Sequence, residues 1–165
     1  MGLAVLALRP TTPADAAFVA GLYAASRATD VAAAGWDTAT TATFLRGQHA
    51  AREAAFAGTA TDDVVVEVDG APVGRLVLAR SAGVVHVLDV AVHPDHQGRG
   101  TGTAVLRGVL ADAHAAGAPV RLHVRATNVR AAALYARLGF VPVDDAATAE
   151  QTAGTVLDVL LEARP

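Results

Sequence analysis

The stretch Val84–Gly102, VVHVLDVAVHPDHQGRGTG, constrains this chain more than any other. It opens as VVHVLDVAV, a run rich in the β-branched residues that fit a pleated, buried surface. Pro94 ends the run, having no N–H to give to a ladder. Gly98, Gly100 and Gly102 follow at alternate positions, and TAVLRGVLADAHAAG then repeats apolar residues at helical spacing. Strand, glycine-rich turn and helix start present unpaired backbone N–H groups and the positive end of a helix dipole to one point. An anion fits such a point, a phosphate or pyrophosphate before others.

Two familiar phosphate sites do not fit. The Walker loop needs a lysine after its glycines, and all 13 basic residues of this chain are arginine. The dinucleotide fingerprint spaces its glycines G-x-G-x-x-G, with an acid ending the next strand about 20 residues on. Here the spacing is G-x-G-x-G, and the next strand, Val120–Val124, carries His123 and leads into Arg125. Gln97-Gly98-Arg99-Gly100-Thr101-Gly102 instead resembles the Q/R-x-x-G-x-G/A signature of the GCN5-related N-acetyltransferases. Asn128 to Phe140 reads N-x-x-A-x-x-L-Y-x-x-L-G-F, similar to that family's second signature. The two motifs span Val84–Val143.

The rest of the chain is compatible. A length of 165 residues suits one domain with a real core, expected over 1–165. Hydrophobic residues make up 53% and mean hydropathy is +0.38, yet alanine supplies much of this and no apolar run approaches a membrane span. Met1–Leu8 is apolar but short, lacks a basic leader and runs into Arg9-Pro10, so it reads as a strand and not a signal peptide. A net charge of −3 and pI near 6.0 argue against a nucleic-acid binder. The absence of cysteine excludes disulfides, a thiol nucleophile and cysteine-bound zinc, and fits the cytoplasm. With no lysine, the chain cannot be acetylated on its own side-chain amines.

In order, Leu3–Leu8 is expected as a strand. Thr12 then caps a helix with Pro13 at its first position, running to about Ala28 with Phe18, Leu22 and Ala25 on one face. Thr29–Thr40 is expected as a loop holding Trp36, and a second helix spans about Thr41–Ala57. Asp62–Val68 and Pro72–Arg80 pair across the Asp69-Gly70 turn. After the strand 84–92, a helix runs to Gly117. Pro119–Arg125 is a strand, a short helix closes at Gly139, and Phe140–Val143 and Thr155–Glu162 are the last strands. The first half is antiparallel in character, with a βαβ crossover after the strand 84–92. The class is α/β (α+β), and the resemblance implies a mixed sheet of about seven strands and about four helices.

The resemblance also implies a site. In that family the strands matching 84–92 and 119–125 splay at a bulge and receive the pantetheine arm of an acyl-CoA. Carried over, Val90, Ala91 and Val92 supply backbone groups to that arm, Gln97, Gly98, Arg99, Gly100, Thr101 and Gly102 hold the pyrophosphate, and Asn128 bonds the arm. Asn128 is equally suited to be a simple N-cap, and Arg99 a solvated side chain. Tyr135 matches the residue that protonates the departing thiolate; its apolar neighbours Leu134, Leu138 and Phe140 also suit plain packing. The base is expected at His123, where ribosomal-protein-type members carry Glu, with His86 and Asp89 as alternatives beside an ordered water. By alternation His123 shares a face with Arg121 and Arg125, which should keep its imidazole neutral. His93 and His96 lie in a proline-containing turn and not on a helix, so no metal is expected.

The function implied is transfer of the acetyl group of acetyl-CoA to a primary amine, by direct attack in a ternary complex. A non-catalytic acyl-CoA-binding or sensing module is the alternative, supported by the replaced Glu positions and opposed by Tyr135. The acceptor stays open: Trp36, Phe44, Gln48, Arg52 and Asp144-Asp145 are its candidate neighbours. A homodimer and a longer acyl chain are left open as well.

Overall fold

A computed structural model describes residues 5–143 and 158–165. By internal contacts the chain divides into two compact units, Met1–Val77 with Asp89–Gly102, and Leu78–Leu88 with Thr103–Pro165.

In the first unit β1 (Leu6–Pro10) pairs antiparallel with β2 (Asp62–Val68), Leu6 opposite Val68 and Pro10 opposite Val64. Thr12 donates its N–H and hydroxyl to the Asp15 carboxylate, at 2.8 and 2.9 Å, which starts a 3₁₀ turn over Pro13–Asp15. The capped start expected at Thr12 is therefore present, with this turn placed ahead of the helix proper. α1 (Ala16–Ser26) buries Val19, Leu22 and Tyr23.

The expected loop after it is a helix in part. α2 (Ala28–Ala34) forms because ATDVAAA is dominated by the best helix former, and Gly35 at φ +65° stops it. α3 (Thr38–Ala57) begins three residues earlier than expected, because Asp37 accepts the Thr40 N–H at 2.8 Å and caps it. The described residues thus hold five α-helices. None of the twenty residues of α3 is buried. Its partly covered residues mix apolar Ala42, Leu45 and Phe56 with polar Thr41, His49, Arg52 and Glu53, and the last two are ion-paired to the strands.

β2 and β3 (Ala71–Ser81) are joined by Asp69-Gly70, both with positive φ (52° and 78°), the backbone of a two-residue hairpin turn. Val73–Ala79 are all buried, the pattern of a strand covered on both faces. Ala82-Gly83 repeats the turn (φ 49° and 75°) and leads into β4 (Val84–Val92).

In the second unit α4 (Thr101–Ala115) buries Val105, Leu106, Val109, Leu110 and Ala113, an i, i+1, i+4, i+5, i+8 stripe. β5 (Val120–Arg125), α5 (Val129–Arg137), β6 (Val141–Pro142) and β7 (Asp158–Ala163) follow. β7 lies antiparallel between β5 and β6. Strands hydrogen-bond in the order β1-β2-β3-β4-β5-β7-β6, a seven-stranded mixed sheet in which β4 and β5 are the parallel pair around α4. The β4–β5 register covers Val85–Val87 against Val120–Leu122, whereas β5 runs on to Arg125 against β7.

Candidate active site

The loop after β4 has the form its sequence predicts. His93 donates its N–H to Val73 O at 2.8 Å, Pro94–His96 make one 3₁₀ turn, and the Gln97 side-chain amide returns to Val92 O at 2.8 Å. Gly98 (φ +75°) and Gly100 (φ +85°) are left-handed, a conformation that costs any residue with a Cβ. The chain enters these glycines from an extended Gln97 (φ −72°, ψ 159°), and α4 begins directly after them with the unsatisfied N–H groups of a first turn. Gln97, Gly98, Arg99 and Gly100 are exposed, with the Arg99 cation between the two left-handed glycines.

Val90, Ala91 and Val92 are half-buried at the end of β4. A Cβ placed on Gly74 would lie 2.4 Å from Ala91 O, so β3 must present glycine where this segment passes. Sequence reasoning missed that requirement. Its only signal was a glycine inside the mostly apolar PVGRLVLA.

Asn128 is exposed and accepts the Ala131 N–H at 3.1 Å, so it caps α5 as expected. Tyr135 on α5 is 8% exposed, with its ring 5.8 Å from that of Phe140 in an edge-to-face arrangement.

His86, Arg121 and His123 come together on one face. His86 stands opposite Arg121 in the parallel register, and His123 lies two residues further along β5 and is exposed. Burial and then the Arg121 and His123 charges push the His86 imidazole below its usual range. Arg121 donates Nε to Glu162 Oε2 at 2.6 Å, and Glu162, 2% exposed, also receives Arg164. These hydrogen bonds hold the Glu162 carboxyl below the usual range.

Asp89, the third candidate, is engaged differently. It is ion-paired with Arg52 of α3, and burial pushes its carboxyl up while Arg52 and Arg75 pull it down. Arg75, 4% exposed, holds both Glu53 oxygens (2.6 and 2.9 Å) and both Asp63 oxygens (2.9 and 2.6 Å). Sequence reasoning passed over Arg75, although a lone arginine amid buried aliphatics signals a paired charge. Trp36 and Phe44 are exposed and stacked edge-to-face at 4.8 Å. Asp144 and Asp145 lie outside the described residues. Among the described residues no group of three or more His, Asp or Glu is placed to hold a metal, and no helix is long and apolar enough to cross a membrane.

The structure resembles that of the PaiA N-acetyltransferase of Thermoplasma acidophilum in complex with coenzyme A (TM-score 0.70, 14% identity, 98% of this chain and 99% of that one). A GCN5-related N-acetyltransferase of Rhodopseudomonas palustris gives TM-score 0.65 at 24% identity over 100% and 99% of the two chains. The mycothiol acetyltransferase of Nocardiopsis dassonvillei is 41% identical over 83 residues, half of this chain and 24% of that protein, so the chain spans about a quarter of that relative's length. The model of the acetyltransferase (GNAT) family matches residues 31–140, two-thirds of the sequence and all of the glycine loop, and the chain belongs to that family.

Proposed function

We propose that the chain transfers the acetyl group of acetyl-CoA to a primary amine by direct attack within a ternary complex. The carrying observation is the pair of left-handed glycines at 98 and 100 between β4 and α4, a backbone anion cradle with Arg99 at its rim. Gln97–Gly102 hold the pyrophosphate, the Val90–Val92 backbone aligns the pantetheine arm, and Asn128 bonds it beyond its capping role.

The reaction needs little from side chains. Alignment of amine and thioester supplies much of the rate, and a β4 N–H polarises the thioester carbonyl as negative charge builds on its oxygen. The amine nitrogen bonds to the carbonyl carbon, the C–S bond breaks, and the Tyr135 hydroxyl gives its proton to the departing sulfur. His123 takes the proton shed by the amine. His86 is the second reading for this base, favoured by the lowered pKa that keeps its imidazole neutral near pH 7. With no cysteine in the chain, a cysteinyl acyl-enzyme is excluded.

The test is thermal protection by CoA, about 2.7 kcal/mol at a hundred times Kd, followed by thiol release from acetyl-CoA with a panel of amines. Gly100→Glu should abolish protection, since it places a negative, left-handed side chain in the cradle. No protection of the wild type at millimolar CoA would overturn the reading. Protection without turnover on any amine would select the sensing module.

A further inference from the structure

We propose that Asp89 is the carboxylate that receives the acceptor's ammonium, taking it in exchange for the Arg52 guanidinium. The inference rests on the acetyltransferase reading above and deepens it: the acceptor class is a primary alkylammonium with no carboxylate beside the amine.

Charge balance is the first ground. Two arginines, Arg52 and Arg75, face three carboxylates, Glu53, Asp63 and Asp89. His49 borders the Glu53 end, with Nδ1 3.9 Å from Oε1. Arg75 is spent on Glu53 and Asp63, to which it makes four hydrogen bonds. Asp89 therefore depends on Arg52. Its side chain is only 17% exposed, and a carboxylate so placed must keep a cation.

Arg52 is built to let go. Its side chain is 32% exposed against 5% for Arg75. Its guanidinium already lies over the Tyr23 ring at 5.7 Å and the Phe56 ring at 5.2 Å, contacts that still hold it once the carboxylate is ceded. α3 buries no residue, so a shift of Arg52 disturbs no core. Position completes the argument: Asp89 immediately precedes Val90–Val92, the backbone to which the thioester is assigned. An ammonium held there stands beside the acyl group. An acceptor bearing its own α-carboxylate would restore the surplus negative charge that the ammonium relieves.

The experiment uses n-butylamine as probe and norleucine as its carboxylate-bearing counterpart. Asp89→Asn should raise the apparent KM for n-butylamine about tenfold or more, the worth of a charged hydrogen bond, with CoA thermal protection unchanged. Arg52→Gln should lower that KM, because it removes the resident competitor. A merely structural bridge predicts that both variants move KM the same way, and that result would overturn the proposal. Independently of turnover and of CoA, the Arg52 Nε–H resonance, identified by its loss in Arg52→Gln, should shift on titration with n-butylammonium chloride beyond a sodium chloride control. A resonance that ignores n-butylammonium, or that answers norleucine more strongly, also refutes it. Where n-butylamine is not acetylated, the resonance decides alone. Absence of CoA protection would instead indict the acetyltransferase reading and leave the titration to judge Asp89.

Discussion

Gly74→Ala should be the most damaging conservative change in the chain. The added Cβ would sit 2.4 Å from Ala91 O, whereas ordinary contact begins near 3.4 Å, so about 1 Å of separation must be created. Both partners are backbone, on buried β3 and half-buried β4, and neither can swing aside as a side chain would. Overpacking into a settled core costs about 1–3 kcal/mol, and a clash between two main chains belongs at the top of that range. For a chain of this size about 3 kcal/mol lowers Tm by roughly 6–12 °C. Ala91 lies in the segment assigned to the pantetheine arm, so residual folded protein should also lose CoA protection. The assay is thermal denaturation followed by circular dichroism, with and without CoA. Gly47→Ala serves as the control: nothing lies within 4 Å of its Cβ, and a helical Gly-to-Ala change should add about 0.5–1 kcal/mol. A Gly74→Ala protein that melts with the wild type and keeps its CoA shift would refute the reasoning.

Tyr135→Phe should lower kcat with little change in CoA affinity, because in the proposed mechanism the hydroxyl acts only on the leaving thiolate; steady-state kinetics and calorimetry check this. His123→Ala should lower kcat/KM for the amine and remove or move the acid limb of the pH profile. A variant with wild-type rate and limb takes His123 out of the mechanism, and His86→Ala becomes the same test of the second reading. Ala82→Gly should raise stability by about 0.5–1 kcal/mol, since Ala82 bears a left-handed φ of 49° that glycine adopts freely, as denaturant melts would show. The Glu162 carboxyl is held low, so its stabilisation is complete above the ordinary Glu range near pH 4.3 and is lost as pH falls through its folded pKa. Melting temperature should therefore fall less steeply below about pH 4.3 in Glu162→Gln than in the wild type.

The glycine loop was legible because its requirements are local. A left-handed turn between a proline-stopped strand and a helix is written in consecutive residues. The same holds for Asn128 as a cap and for the Asp69-Gly70 hairpin. The segment 28–34 misled because alanine-rich helices need no stripe of large apolar residues, and the periodicity that marks α4 is missing there. Arg75, Glu53, Asp63 and Asp89 were illegible as a group: their pairing depends on how four elements, α3, β2, β3 and β4, come together. Arg121 shows the same limit. Alternation placed it correctly beside His123 on one strand, but its neighbour across the sheet, His86, required the register.

The place of β7 between β5 and β6 bears on how the chain is made. During synthesis β5 leaves the ribosome well before β7, and its outer edge, Val120 to Arg125, waits without its partner. Val120, Leu122 and Val124 would invite pairing with any other extended chain. Arg121, His123 and Arg125 alternate with them and put charge or a polar ring at every second position of that waiting edge. They guard the nascent strand against strangers until Leu160, Glu162 and Asp158 arrive opposite them. The residues that tune one face of the finished sheet thus first serve as its chaperone.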